Sequence, residues 1–263
     1  MYEKYDDIKD IWGEPQEFKG VKFYPIKLKE FKYQRMMYGI FGYPKNYIAD
    51  KTILKMSYLK FLLYVVQPSL HKNDGEDIQK DLIEFLKFVT KTEKVTISMK
   101  ANEVENLTID DILLVIDIDG EIIYEDELEL IREIVLKQNG ISIEYIEEYN
   151  PDLEEKLRFV NKDINFTFEE ELFTFCSMLR KTIIEIGEYT LYQFKNHMER
   201  LSIYVDFELF KPLEVSGQIS LKDGKKGEII KHYLSHIPQG HRYDAILIRK
   251  DKYVAESDLF KSI

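Results

Sequence analysis

The most constraining stretch of this 263-residue chain is Phe166–Tyr204, where two helix-start signals each precede an apolar stripe. Thr167 with Glu170, and Thr190 with Gln193, have the spacing of a capping box. In that motif a hydroxyl and a carboxyl or amide side chain reciprocally satisfy free backbone amides of a helix's first turn. After the first box, Phe168, Leu172, Phe175, Leu179, Ile183 and Ile186 recur at helical spacing. After the second, Leu191, Phe194, Met198 and Leu201 do the same. Gly187 stands where the first helix would end in a left-handed residue. The pattern predicts an αα-hairpin with one apolar side that other parts of the chain must cover.

The rest of the chain is long enough to supply that cover. With 44% hydrophobic and 32% charged residues it is globular in composition. The 18 Tyr and 16 Phe residues serve cores and interfaces alike. A formal net charge of −11 speaks against a nucleic-acid-coating role. The charge is also segregated. Ala101–Ile131 holds eleven acids and no Lys or Arg, whereas Phe18–Lys60 holds ten Lys or Arg and only Glu30 and Asp50 as acids. The two stretches either attract each other within the chain or present opposite charge to partners. The single cysteine, Cys176, falls inside the first helix of the hairpin. It fits a core position in a reducing compartment better than a nucleophile's role. The polar N-terminus is unlike a signal peptide. The longest apolar run, Tyr58–Val66, is far short of the about 20 residues that span a bilayer. A soluble, intracellular protein without membrane contact is expected.

In chain order, residues 1–17 read as a polar lead-in. Phe18–Ile26 reads as a small hairpin turning at Lys19 and Gly20 and limited by Pro25. A helix is expected from about Leu28, broken in the Gly39–Pro44 region. Thr52–Val66, apolar on most sides, reads as one buried helix stopped by Gln67 and Pro68. His71–Asp77 reads as a loop. Ile78, Leu82, Phe85, Leu86 and Val89 mark an amphipathic helix. Val95–Met99 alternates as a strand, and Leu113–Ile118, Asp119, Gly120 and Glu121–Tyr124 form a second hairpin signal. Asp126 is placed to cap a helix facing inward through Leu128, Ile131, Ile134 and Val135 and ending at Asn139 and Gly140. Asn150 and Pro151 suggest a hinge, and Asp152–Val160 a short helix. Ser216–Gly227 suggests a loop, Glu228–His236 a helix, and Ala245–Ile248 with Tyr253 and Val254 a last hairpin. The expected fold is α+β and mainly helical, with small β-hairpins and the C-terminal αα-hairpin. It divides into 1–90, an N-terminal hairpin plus helices; 91–149, a small α+β module; and 150–263, a C-terminal helical part.

The candidate chemistry is thin. Val115–Gly120 resembles the Asp-x-Asp-Gly signature of haloacid-dehalogenase-type phosphatases. By that resemblance Asp117 would be the nucleophile and Asp119 the acid/base beside Mg²⁺. Glu121 follows the glycine where that family has Thr or Val. No Gly-Asp-x-x-x-Asp pair comes later, and Glu121, Glu125, Asp126 and Glu127 would repel a phosphate. A hairpin tip accounts for the same residues. As a calcium EF-hand loop the segment places Ile122 where Gly is needed and Leu128 where a bidentate Glu is needed. His232 and His236 are four apart on an expected helix, and His241 would make a third zinc ligand, but no His-Glu-x-x-His arrangement is present. Lys222–Gly227 lacks the Ser or Thr of a phosphate loop. No cofactor, metal site or small-molecule substrate is expected.

Phe18–Phe31 with Met56–Leu62, and Asp119–Tyr124 running into Leu130–Gly140, resemble proteins encoded in the tail-gene clusters of contractile-tailed phages and prophages of Gram-positive bacteria. Tyr189–Phe194 resembles a late helix of such proteins. The resemblance covers about half the chain in patches and carries no catalytic motif. It implies a non-enzymatic role in tail or baseplate assembly, as a chaperone or a structural virion component. The partners implied are other tail or baseplate proteins or further copies of the chain. Tyr189, Tyr192 and Phe194 are the aromatic anchors expected at a partner interface in the C-terminal part. The alternatives are the Mg²⁺-dependent phosphatase on Asp117 and Asp119, and a regulatory or anti-defence protein that binds a host factor.

Overall fold

A computed structural model describes residues 5–47, 50–70, 77–101, 112–142 and 167–216, together with Asn150, Leu153, His232 and Leu234. Within them the chain is α+β and mainly helical, with one two-stranded and one three-stranded antiparallel sheet. The two-stranded sheet pairs β1 (Gln16–Phe18) with β2 (Val21–Phe23). Lys19 and Gly20 turn it at φ 50° and 78°, the left-handed pair that a two-residue hairpin needs. Val21 and Phe23 point into the core and Lys22 points out. The second sheet has the order β3 (Val95–Ala101), β4 (Ile112–Ile118), β5 (Glu121–Tyr124). Its β4–β5 turn is Asp119 and Gly120, again with both φ values positive.

The segment after β2 holds the molecule together. Tyr24 N–H donates to Val89 O, and Ile26 N–H to Oδ1 of Asn139. Lys27 N–H donates to Glu30 Oε2, Leu28 N–H to Tyr189 O, and Lys29 N–H to Gly187 O. Ile26 O in turn accepts from Leu191 N–H. With Pro25 carrying no N–H, every donor from 24 to 29 is used, as a buried strap requires. The strap joins α6 (Ile78–Thr90), α7 (Leu128–Gln138) and the C-terminal helices α8 (Phe168–Leu179), α9 (Ile183–Gly187) and α10 (Leu191–Val215). Phe23, at the end of β2, and Ile26, in the strap, are fully buried. The resulting hydrophobic cluster runs from Phe18 to Phe194 and draws on all three segments of the chain.

The C-terminal helices supply the cover problem's answer and one correction. Both capping boxes form: Thr167 with Glu170 starts α8, and Thr190 with Gln193 starts α10. The first helix does not continue to Gly187. It ends at Arg180, which takes the left-handed conformation at φ 54°. A third capping box, Thr182 with Glu185, then starts α9. Ile186 is buried as the stripe predicts, but Ile183 is turned outward. Gly187 is not left-handed. It is small because a Cβ there would lie 3.3 Å from Cβ of Lys29, where the strap passes.

Other boundaries differ from expectation for local reasons. α1 (Asp7–Trp12) forms inside the supposed lead-in. α2 (Phe31–Phe41) begins later than Leu28, while its end at Gly42 falls inside the expected Gly39–Pro44 break. Thr52–Val66 is not one helix. α3 (Lys51–Lys55) stops at an extended Met56, and Ser57 caps α4 (Tyr58–Phe61). A π turn, Leu62–Val66, then leads into α5 (Gln67–Leu70), so Gln67 and Pro68 continue the helix. The wider turn sits just before Pro68, whose ring and missing N–H fit poorly in a regular α-turn. The cap residue of α7 is Glu127, not Asp126, and its carboxylate accepts from Tyr124 N–H at 2.9 Å. The expectations at His71–Glu76, Pro151 with Asp152–Val160, Gly217–Gly227, Glu228–His236 and the last hairpin fall almost wholly outside the described residues.

The strap is also tied by charge. Glu188 receives both Lys27 Nζ, at 2.7 Å, and Lys29 Nζ. These two lysines hold its carboxyl at about 2, well under the ordinary 4.5. Between those pH values the unfolded chain binds more protons than the folded one, so stability rises with pH across that window. Glu188→Gln is expected to flatten the acid limb of the Tm–pH curve between about pH 2 and 4.5. Coincident slopes for wild type and variant would show that the pairing does not reach the folding equilibrium.

Candidate interaction surface

α1 has six residues, too few to persist alone in water. It is closed at both ends. Asp6 Oδ1 accepts from Ile8 N–H at 3.0 Å, and Gly13 ends the helix at φ 70°. Beneath it lies a buried polar cluster. Tyr5 Oη donates to Asp10 Oδ2 at 2.7 Å, and Gln16 Nε2 donates to Asp10 Oδ1 at 2.9 Å and to Asp6 O at 2.8 Å. Burial pushes the Asp10 carboxyl up, against the hydrogen bonds from Gln16 and Tyr5. Burial, and then the hydrogen bond to Asp10, pushes the Tyr5 phenol up.

Two further elements fasten the helix. Lys137 of α7 pairs with Asp7 at 2.9 Å and lies 4.0 Å from the centre of the Tyr5 ring. Gln193 of α10 donates to Ile11 O at 2.9 Å, and Thr190 Cγ2 would be 3.1 Å from a Cβ at Gly13. Asp10 therefore faces inward. On the other side Ile8, Ile11 and Trp12, at positions i, i+3 and i+4, share one outward face. They are 63%, 56% and 72% exposed, and Trp12 is the chain's single tryptophan. A rigidly mounted, exposed tryptophan flanked by two isoleucines has the composition of an interface anchor. Residues 1–17 hid it behind their acids, although the i, i+3, i+4 spacing between Asp6 and Gly13 was a usable signal.

The three anchors expected from sequence are separated by the structure. Phe194 is buried, edge-on to Phe175 at 4.8 Å, so it belongs to the protein's own core. Tyr189 is half-buried near Phe175 and His197, and its hydroxyl accepts from Lys181 Nζ at 2.6 Å. Tyr192 lies on the α1 side of α10, where burial and then the charges of Asp10 and Asp7 push its phenol up. The two tyrosines thus answer to different neighbours. A second group of exposed apolar side chains, Phe173, Met178, Ile183 and Ile184, flanks the α8–α9 break.

The remaining candidates take structural places. Asp117 Oδ1 accepts from Gly120 N–H at 2.8 Å, and Asp119 pairs with Lys94 at 2.9 Å, so both carboxylates serve the β4–β5 turn. His232 Nδ1 accepts from Leu234 N–H, and its ring meets Phe207 at 5.1 Å. His236 and His241 lie outside the described residues. Among the described residues no three His, Cys, Asp or Glu side chains group as a metal site. Cys176 is buried in α8. No described helix is long and apolar enough to cross a membrane.

Part of the segregated charge is satisfied inside the chain. Lys19 pairs with Glu127, Lys45 with Glu129 and Lys60 with Glu125, each joining the basic stretch to the acidic one. No protein-family model, curated protein or solved structure matches the chain.

Proposed function

We propose that this chain is a non-enzymatic protein–protein interaction component of tail or baseplate assembly in a contractile-tailed phage or prophage. It would act as a chaperone or structural component, in the host cytoplasm or the virion. The observation that carries the interaction role is the outward face of α1, with Trp12 72% exposed on a helix fixed at both ends and underneath. Contiguous exposed apolar patches mark interaction sites, and tryptophan is enriched among interface hot spots. The carboxylates that suggested catalysis support a turn, which is in keeping with an adhesive rather than a catalytic role. The tail assignment rests on the sequence resemblance.

The test is the mass of the purified protein by light scattering after size exclusion, alone and mixed with the products of its neighbouring genes. A defined oligomer or a stable complex with a tail protein is the expected result. A monomer that ignores every neighbour would overturn the assignment and bring forward a phosphate-release assay with Mg²⁺, comparing wild type with Asp117→Asn. Stable capture by a host protein alone would move the chain to the regulatory class.

A further inference from the structure

We propose that the outward face of α1 is a docking surface for a cationic amphipathic helix of a partner protein. The proposal rests on the interaction role above and names the surface and the chemistry of what it takes. Three observations carry it. The face is apolar and aromatic, with Ile8, Ile11 and Trp12 side by side on one turn. It is pre-formed, since the caps at Asp6 and Gly13 and the Asp10 cluster order the helix before any partner arrives, and this lowers the entropic cost of binding.

Its rim is acidic. Asp6, Asp7 and Glu14 are exposed around the face, against Lys9 and a Lys137 already paired with Asp7. A second copy meeting this face through its own α1 would set acid against acid. A second copy's basic stretch is a weaker match head to tail, because six of its ten Lys and Arg residues are spent in internal ion pairs: Lys19, Lys27, Lys29, Lys32, Lys45 and Lys60. An anionic membrane is disfavoured by the same rim and by the net charge of −11. The closer complement is an apolar stripe flanked by Lys or Arg, which matches both the trio and its rim.

Trp12, as the single tryptophan, makes the test specific to this face. The full-length protein is titrated with a fluorescein-labelled Leu/Lys amphipathic helical peptide and with its Leu/Glu counterpart. Tryptophan emission and peptide anisotropy are followed. The Leu/Lys peptide is expected to blue-shift Trp12 and to bind, with affinity falling as salt is raised, and the Leu/Glu peptide to do neither. Trp12→Ala should weaken anisotropy-detected binding roughly thirtyfold, the size of an interface hot spot. Ile8→Ser should weaken it in the same direction, and Ile184→Ser, on α9, should leave it unchanged.

Circular dichroism checks that each variant is folded, and Ile8→Ser stands in if Trp12→Ala is not. Equal binding of both peptides, no Trp12 shift with either, or equal losses at Ile184 and Trp12 would overturn the proposal. So would a concentration-dependent blue shift without peptide, which assigns the face to self-association, or a blue shift on zwitterionic or anionic vesicles, which assigns it to a membrane. If a tail-protein complex forms and Trp12→Ala leaves it intact, the docking surface fails while the assembly role stands.

Discussion

Glu125→Gln is expected to cost about 3 kcal/mol of folding stability, and adding Lys60→Met to it is expected to restore most of that loss. Lys60 interrupts the apolar run Tyr58–Val66 within α4. Its Nζ lies 2.8 Å from Glu125 Oε1, with the side chains only 8% and 15% exposed. Glu125 also accepts from Leu114 N–H at 3.0 Å, which closes the end of β4 where β5 no longer pairs with it. A glutamine keeps an acceptor for Leu114 but leaves the ammonium of Lys60 buried without an anion. That uncompensated charge is the expensive species, not the loss of attraction itself. Methionine replaces the lysine stem with an apolar chain of similar length and removes the charge. Urea denaturation of wild type, both singles and the double closes the cycle. A double variant no more stable than Glu125→Gln would show that this ion pair does not behave as a buried one.

That pair also shows what the sequence disclosed and what it withheld. The uneven charge of Phe18–Lys60 and Ala101–Ile131 was visible in composition, and their mutual attraction was one of its two readings. Lys19, Lys45 and Lys60 now realise it against Glu127, Glu129 and Glu125. Signals written in local chemistry survived best. Lys19 with Gly20, Asp119 with Gly120, and the Thr167 and Thr190 boxes each depend on a few neighbouring residues, and each forms. So does the stripe of α6, whose five apolar residues are all buried.

Breaks without glycine or proline were hidden. Arg180 accepts a left-handed φ because Arg180 and Lys181 N–H groups close on Ser177 and Cys176 carbonyls, and Thr182 restarts the helix at once. Ser57 does the same for α4. The strap at 24–29 was beyond reach, because its partners Val89, Asn139, Gly187 and Tyr189 are brought to it only by tertiary folding. The interface residues split for the same reason. Phe194 stood both in the apolar stripe of the second helix and among the expected anchors, and its packing against Phe175 assigns it to the core. Trp12 lay among acids, and only the buried Asp10 cluster turns its helix outward.

Arg132→Ala is expected to cost about 4 kcal/mol, because it removes the cation that finishes the C-terminal end of α2. A helix end leaves its last carbonyls without partners and carries a partial negative charge. Here Gly42 N–H takes only Tyr38 O. The one hydroxyl proton of Tyr58 is shared between Ile40 O, at 2.9 Å, and Tyr43 O, at 3.0 Å. Arg132, 1% exposed on α7, donates through Nε to Phe41 O at 3.0 Å and through Nη2, at a longer 3.5 Å, to Tyr43 O. Its guanidinium carbon lies 4.3 Å from the centre of the Tyr58 ring, so the same tyrosine donates with its hydroxyl and holds the cation over its face.

Alanine would strand the Phe41 carbonyl in the core and open a space beside Phe41 and Tyr58. Lysine keeps a charge but not the planar fork that reaches two carbonyls while lying over a ring, so Arg132→Lys should recover less than half of the loss. Tyr58→Phe should cost about 2 kcal/mol alone and less in an Arg132→Ala background, since the two side chains share Tyr43 O and one stacked contact. Urea midpoints at constant m-value measure all four. A lysine variant as stable as wild type would mean that charge alone holds this helix end. Strict additivity of the Tyr58 and Arg132 losses would mean that the two side chains act separately on α2.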